Sequence, residues 1–292
     1  MQKKLLVAAL GTLFAMPVLA DDAPAAAAPA AAPTPSVTSN ISLVTNYLYR
    51  GISQTGGKPA IQGGFDYTHA SGFYAGVWGS SISWIGDLGI ASNAGLELDT
   101  YLGFKNSFAT DFSYDVGFLR YNYPGNYNGT ATVVGTTTFV KADTNEIYGQ
   151  IGYKFVTLKY SQALGDTFAV PNASGSSYIN LSASYPVPNT SWTLGAHYGK
   201  QTYKGSTANA LKASTTGVIA GAVVSQDPTY SDYNLSVSTD LGGVSKDLSG
   251  YSLGLLYSNT NNTSGGYNTT LINGNKNDLG KGTVVLSLSR TF

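Results

Sequence analysis

Residues 37–292 predict an all-β fold, a transmembrane antiparallel β-barrel of about twelve strands with short periplasmic turns and long extracellular loops. Three observations carry the prediction. The closing segment, residues 282–292, sets Val284, Leu286, Leu288 and Phe292 on one face and Thr283, Ser287 and Ser289 on the other. Alternate side chains of a strand point to opposite faces, so this strand is oily on one side and polar on the other. At the other end, Lys3 and Lys4 precede a mostly apolar stretch and then Val18-Leu19-Ala20, the pattern of a secretory leader cleaved after residue 20. Pro17 interrupts the stretch, which falls short of the roughly 18 apolar residues a membrane helix needs. Finally, no long apolar run follows residue 20, and a barrel hides its membrane signal in alternation because only every second residue meets lipid.

Twelve segments show period-two patterning between turn residues. The first, residues 37–50, puts Ile41, Leu43, Tyr47 and Tyr49 on one face, and the second, residues 60–69, does so with Ile61, Phe65 and Tyr67. The third, residues 72–84, is apolar on both faces and its register stays open. In the fourth, Leu96, Leu98, Leu102 and Phe104 oppose Glu97, Asp99 and Tyr101; in the fifth, Phe112, Tyr114, Val116 and Phe118 oppose Ser113, Asp115 and Gly117. The sixth sets Ile147, Ile151, Tyr153 and Phe155 against Glu146, Gln150 and Lys154, and the seventh sets Val156, Leu158 and Tyr160 against Thr157, Lys159 and Ser161. The eighth and ninth carry Ile179, Leu181, Tyr185 and Trp192, Leu194, Tyr198 outward, with Asn180, Ser182 and His197 opposite. The tenth alternates Tyr233, Leu235 and Val237 with Asp232, Asn234, Ser236 and Ser238, and the eleventh aligns Tyr251, Leu253, Leu255 and Tyr257.

Connections after even segments are short, with turns expected near 69–72, 105–107, 155–156, 186–189 and 241–247; those after odd segments are longer and polar. That alternation, with an even strand count and both ends periplasmic, is the layout of outer-membrane barrels. Aromatic residues fall at both ends. Tyr67, Phe104, Tyr153, Phe155, Tyr185, Trp192 and Phe292 lie near the short turns, and Tyr49, Trp84, Tyr123, Tyr198 and Tyr257 near the long loops. Such rings favour the headgroup level, which gives two girdles.

Ahead of the barrel, residues 21–36 are Ala/Pro-rich, without apolar periodicity, and read as a periplasmic linker. Acidic and basic residues balance at 16 each and charged residues are 11% of the chain, so there is no basic footprint for nucleic acid. Cysteine is absent, which excludes a disulfide framework. With no His/Cys cluster and no ordered Asp/Asn spacing in the loops, no cofactor or metal is expected.

The stretch Val44-Thr-Asn-Tyr-Leu-Tyr-Arg-Gly-Ile-Ser-Gln54, then Lys58-Pro-Ala60, then Gly76-Val-Trp-Gly-Ser80 and Leu96-Glu-Leu-Asp99, resembles the TorF family of porin-like proteins from proteobacterial outer membranes. The close match spans about residues 40–104, with looser agreement to the terminal Phe. The resemblance implies a channel-like barrel. One departure is Arg290, at a position where barrel-assembly signals of this kind usually carry an aromatic or apolar residue.

A charge facing lipid at mid-depth costs about 2–4 kcal/mol, so ionisable residues in the strands must face inward. The candidates for the inner wall are Arg50, Asp66, Glu97, Asp99, Asp115, Glu146, Lys154, Lys159 and His197. Acids and bases on opposing walls shape a constriction that filters ions or small hydrophilic solutes, or else pair with each other and plug the lumen. Arg50, at the start of the first outer loop, either recognises an anionic solute with paired donors or anchors the loop to an acid inside the rim. The implied partners are outer-membrane lipid, the barrel-assembly machinery acting on the strand that ends at Phe292, and small solutes. Two competing classes are a closed barrel whose long loops bind a ligand or surface, and an outer-membrane hydrolase resting on His69 and Ser71 alone.

Overall fold

The computed structural model describes residues 35–127, 132–133, 137–138, 140–213, 217–219, 222–224, 228–261, 268–270 and 276–292. The expected leader and most of the linker lie outside the described residues. Twelve antiparallel strands form one closed barrel. They are β1 (Ser36–Val44), β2 (Ala60–Thr68), β3 (Phe73–Ser81), β4 (Leu96–Phe108), β5 (Phe112–Asn122), β6 (Thr144–Tyr153), β7 (Val156–Ala163), β8 (Ser177–Pro186), β9 (Trp192–Thr202), β10 (Tyr230–Asp240), β11 (Tyr251–Thr260) and β12 (Thr283–Thr291). Each strand pairs with its sequence neighbours, and β1 closes the ring on β12 through Asn40↔Thr291 to Val44↔Ser287. The barrel sheet itself has no open edge, so each of its strands pairs with a neighbour on both sides.

Alternation places the oil outside. Ile41, Phe65, Leu102, Val116, Leu181, Leu235 and Leu286 are each between 43% and 62% exposed. On the same strands Ser42, Gln62, Asp115, Asn180, Asn234 and Ser287 are buried in the interior. The open register of the third segment resolves the same way, with Tyr74, Trp78 and Ser80 inside and Phe73 outside. The short turns sit at one end and the long connections, 45–59, 82–95, 123–143, 164–176, 203–229 and 261–282, at the other.

Four local expectations are corrected. The first strand stops at Val44, not residue 50; Tyr47 and Tyr49, placed outward by simple continuation of the alternation, are 1% and 7% exposed inside the barrel. Trp84 and Tyr123 also pack inward, edge to face at 5.6 Å, so the outer aromatics near the long loops are Tyr198, Tyr233 and Tyr257. The fourth strand runs on to Phe108, which moves its turn from 105–107 to 109–111. The tight turn between β6 and β7 is Lys154-Phe155, with Tyr153 opposite Val156. At the short-turn end, the Arg290 guanidinium lies over the rings of Tyr251 (4.7 Å) and Phe292 (4.4 Å) and donates to the Tyr251 hydroxyl. An arginine held between two rings supplies the amphipathic surface that an aromatic residue gives elsewhere.

Inside, tyrosines lie flat over glycines of the next strand. A Cβ at Gly103 would strike the Tyr74 hydroxyl and stand 2.6 Å from the Val116 carbonyl; one at Gly117 would strike Tyr148 and stand 2.8 Å from the Leu102 carbonyl. Overpacking of this kind costs about 1–3 kcal/mol. Gly103→Val is therefore expected to shift the urea unfolding midpoint of the lipid-reconstituted protein downward. An unchanged midpoint would show that Tyr74 has room to swing away.

Candidate functional site

The interior is built by the inward half of each strand. On β4, Glu97 and Asp99 are 1% and 3% exposed, and the Tyr47 hydroxyl donates to Glu97 at 2.8 Å. Further toward the short turns, Tyr74 of β3 donates to Asp115 of β5 at 2.6 Å and touches the hydroxyl of Tyr148 on β6. Lys105 stands opposite Asp115 in register, with its ammonium 5.0 Å from the Tyr74 ring. The Lys159 ammonium lies 4.4 Å from the Tyr148 ring. Asp66 of β2 accepts from Tyr101 of β4. Carboxylates, ammonium groups and tyrosines thus interleave over β2 to β7. The wall made by β10, β11, β12 and β1 is richer in hydroxyls: Ser236, Ser238, Ser252, Gly254, Ser287, Ser289 and Ser42 face inward there, with Asp232 toward the long-loop end of β10.

Residues 45–59 turn into the barrel. Leu48–Tyr49 pairs with Ile52–Ser53, and Arg50-Gly51 makes the tip with φ of +47° and +76°. A two-residue hairpin turn of this hand needs positive φ at both positions. Glycine adopts it freely, whereas arginine there costs on the order of 1 kcal/mol and persists only where contacts hold it. Here they do. Arg50 Nη2 is 2.8 Å from Glu146 Oε2, Nη1 donates to Gln201 Oε1 at 2.6 Å, and the guanidinium stacks over Tyr178 at 4.3 Å and Tyr49 at 4.8 Å. The next residue is equally constrained: a Cβ on Gly51 would stand 2.7 Å from Asp232 Cβ and 2.8 Å from Thr260 Cγ2. The hairpin leaves β1 and meets β6, β8, β9, β10 and β11, so it crosses the lumen and docks on the far wall. Beside it, Tyr178 donates to Asp232 Oδ2 at 2.9 Å, and His197 Nε2 lies 2.8 Å from the same hydroxyl and 2.9 Å from Asp232 Oδ1.

Of the nine residues picked from sequence, Asp66, Glu97, Asp99, Asp115, Glu146, Lys159 and His197 project from strands into the interior, and Arg50 reaches it on the hairpin. Lys154 does not. It occupies the turn after β6 at φ +54°, exposed, 4.0 Å from Asp111, because the turn falls one residue earlier than the pattern suggested. Lys105, Asp232, Gln201 and Tyr178 belong to the interior set and were missed, although period two already placed Asp232 opposite Tyr233. His69 Nδ1 is 2.9 Å from Ser71 Oγ but also accepts from the Ser71 amide, so the nitrogen that would act as base locks an exposed turn. Among the described residues, no group of three or more His, Cys, Asp or Glu side chains could hold a metal ion. In the connection after β5, burial pushes the Tyr127 phenol up to about 12, and it donates to the Tyr123 carbonyl.

The fold and the interior define a closed, inside-out barrel: polar and ionised within, apolar without. The chain belongs to the Gcw_chp family, described as a bacterial protein of unknown function, whose model matches residues 27–292. No curated protein matches it. Among solved structures it is similar to the NanC porin (8% identity, 88% of this chain and 99% of that one, TM-score 0.48) and to the KdgM porin (7%, 87% and 98%, 0.43). It is also similar to the COG4313 outer membrane channel from Pseudomonas putida F1 (14%, 90% and 97%, 0.41).

Proposed function

We propose that the protein is an outer-membrane channel that passes small hydrophilic solutes or ions down their gradients, with cations favoured. The observation that carries this reading is the sorting of polarity across the wall. Ser42, Gln62, Glu97, Asp99, Thr193 and Ser238 all lie buried on inward faces, each flanked along its strand by residues of the outer face. Polar and ionisable side chains gathered on the inner face of a closed wall, with apolar ones outside, are the arrangement of a barrel with a polar interior. The opposite face is a continuous apolar belt, far larger than the few hundred Å² a water-soluble surface tolerates. A closed barrel with that exterior is suited to hydrocarbon.

The preference for cations follows from the charge of the interior. Among the described residues, Asp66, Glu97, Asp99, Asp115, Glu146 and Asp232 outnumber the inward cations Arg50, Lys105 and Lys159, with His197 beside Asp232. The resemblance of residues 40–104 to the TorF family supports the same channel reading, as does the leader expected from the sequence of residues 1–20. Phe292 at the end of β12 is the feature the assembly machinery would take. The test is a planar bilayer with a salt gradient. Discrete openings with a reversal potential on the potassium side are expected in KCl. Well-folded protein that inserts and gives no openings would end the channel reading in favour of a closed barrel with binding loops.

A further inference from the structure

Above the apolar belt, the outer face of β5 and β6 changes character. Phe118 pairs with Ile147, and one step further toward the long loops Arg120 pairs with Asn145. These residues share the outward face, since Leu119, Tyr121 and Glu146 between them are buried inside. Successive outward residues are about 7 Å apart along a strand, so Arg120 stands one step beyond the belt.

The cluster there is braced. Arg120 Nε donates to Asn122 Oδ1 at 2.6 Å, Nη1 to Asn145 Oδ1 at 3.1 Å and Nη2 to Asp143 Oδ2 at 2.9 Å. Lys141 Nζ reaches the same Asp143 oxygen at 2.9 Å, and the Tyr123 amide takes the other at 2.9 Å. Two cations therefore share one carboxylate whose oxygens are both engaged. One positive charge is left over, on side chains that stay 40% and 53% exposed. A guanidinium already fixed on three acceptors loses little freedom when its remaining N–H groups bind an anion.

We propose that Arg120 and Lys141 form a binding site for a phosphate group on the headgroup of an outer-leaflet lipid. The proposal rests on the outer-membrane reading, which puts the long-loop end of the belt at that leaflet. Phosphate suits the site because its several oxygens accept from the guanidinium and the ammonium together, and the belt below receives the acyl chains. Lys200, outward on β9 beyond Tyr198, offers one cation without this bracing and serves as the control.

The experiment is native mass spectrometry of the full chain in detergent, titrated with a bis-phosphorylated glucosamine-disaccharide lipid and with its dephosphorylated form. Selective adducts with the phosphorylated lipid are expected. R120Q/K141Q should weaken them by about tenfold and K141Q alone by less, while K200Q leaves them unchanged. Heat-modifiable gel mobility shows that each variant is folded. Equal binding of the two lipids, or equal loss in K200Q, would overturn the site. So would full competition by inorganic phosphate, which would make it a free-phosphate site. If the outer-membrane reading itself is wrong, the wild-type chain will fail to enter liposomes at all, a separate readout.

Discussion

Replacing Arg50 with alanine is expected to release the hairpin of residues 45–59 from the far wall and raise single-channel conductance. Arg50 and Glu146 have side-chain exposures of 0% and 3%, so neither ion is compensated by bulk water when its partner goes. Removing one member of a buried pair typically costs about 3–5 kcal/mol, because the other is left charged and unpaired. Arg50→Ala also deletes the hydrogen bond to Gln201 and the stacking on Tyr178. The barrel's twelve-strand ladder does not depend on this pair, so the loss falls on hairpin docking rather than on strand pairing. Larger and noisier openings with retained heat-modifiable mobility are the expected result. Arg50→Lys, which keeps the charge without the planar fork, should lie between. Glu146→Gln should reproduce most of the effect, and the double variant should cost less than the two singles combined. Conductance unchanged in Arg50→Ala would mean that the hairpin does not obstruct the path.

That hairpin also marks where sequence reasoning stops. Outward residues were legible because lipid-facing and interior positions alternate at period two along every strand. Leu96, Leu98, Leu102 and Phe104 all fell on the outer face for that reason. The hairpin keeps an alternating pattern after the strand has ended, so Tyr47 and Tyr49 read as a continuation of β1. The signal that was present is Arg50-Gly51, a two-residue turn inside what looked like one strand; arginine is an unusual tenant of its first position, which is why it escaped. Lys154 failed for a related reason. A non-glycine residue at φ +54° leaves no compositional mark, and a one-residue error at a turn reverses the assigned face. Lys105 was hidden by the β4 turn being placed too early. The pairing of Arg50 with Glu146 joins positions 96 residues apart on elements that are not neighbours, and no periodicity reports it.

Leu181→Arg is expected to destabilise the protein by about 2–4 kcal/mol, the cost of an arginine on the lipid face near mid-depth. Leu181 is 51% exposed, sits in the middle of β8, and pairs with Leu158 and Tyr198, both also outward. On a water-soluble barrel the same substitution would fall within about 0.5 kcal/mol of neutral, since it replaces an exposed apolar side chain with a solvated one. The next residue provides the counterpart. Ser182 faces the interior opposite Thr157 and His197, so Ser182→Arg puts the same charge into the lumen. That variant should assemble and lower the preference for cations, because it adds a base to a wall with more acids than bases. Urea titration in lipid vesicles measures the first effect and reversal potential the second. Only a wall with hydrocarbon on one side and water on the other makes two adjacent residues of one strand respond so differently. Equal tolerance of both substitutions would contradict the membrane-spanning assignment, and equal intolerance would contradict a hydrated interior.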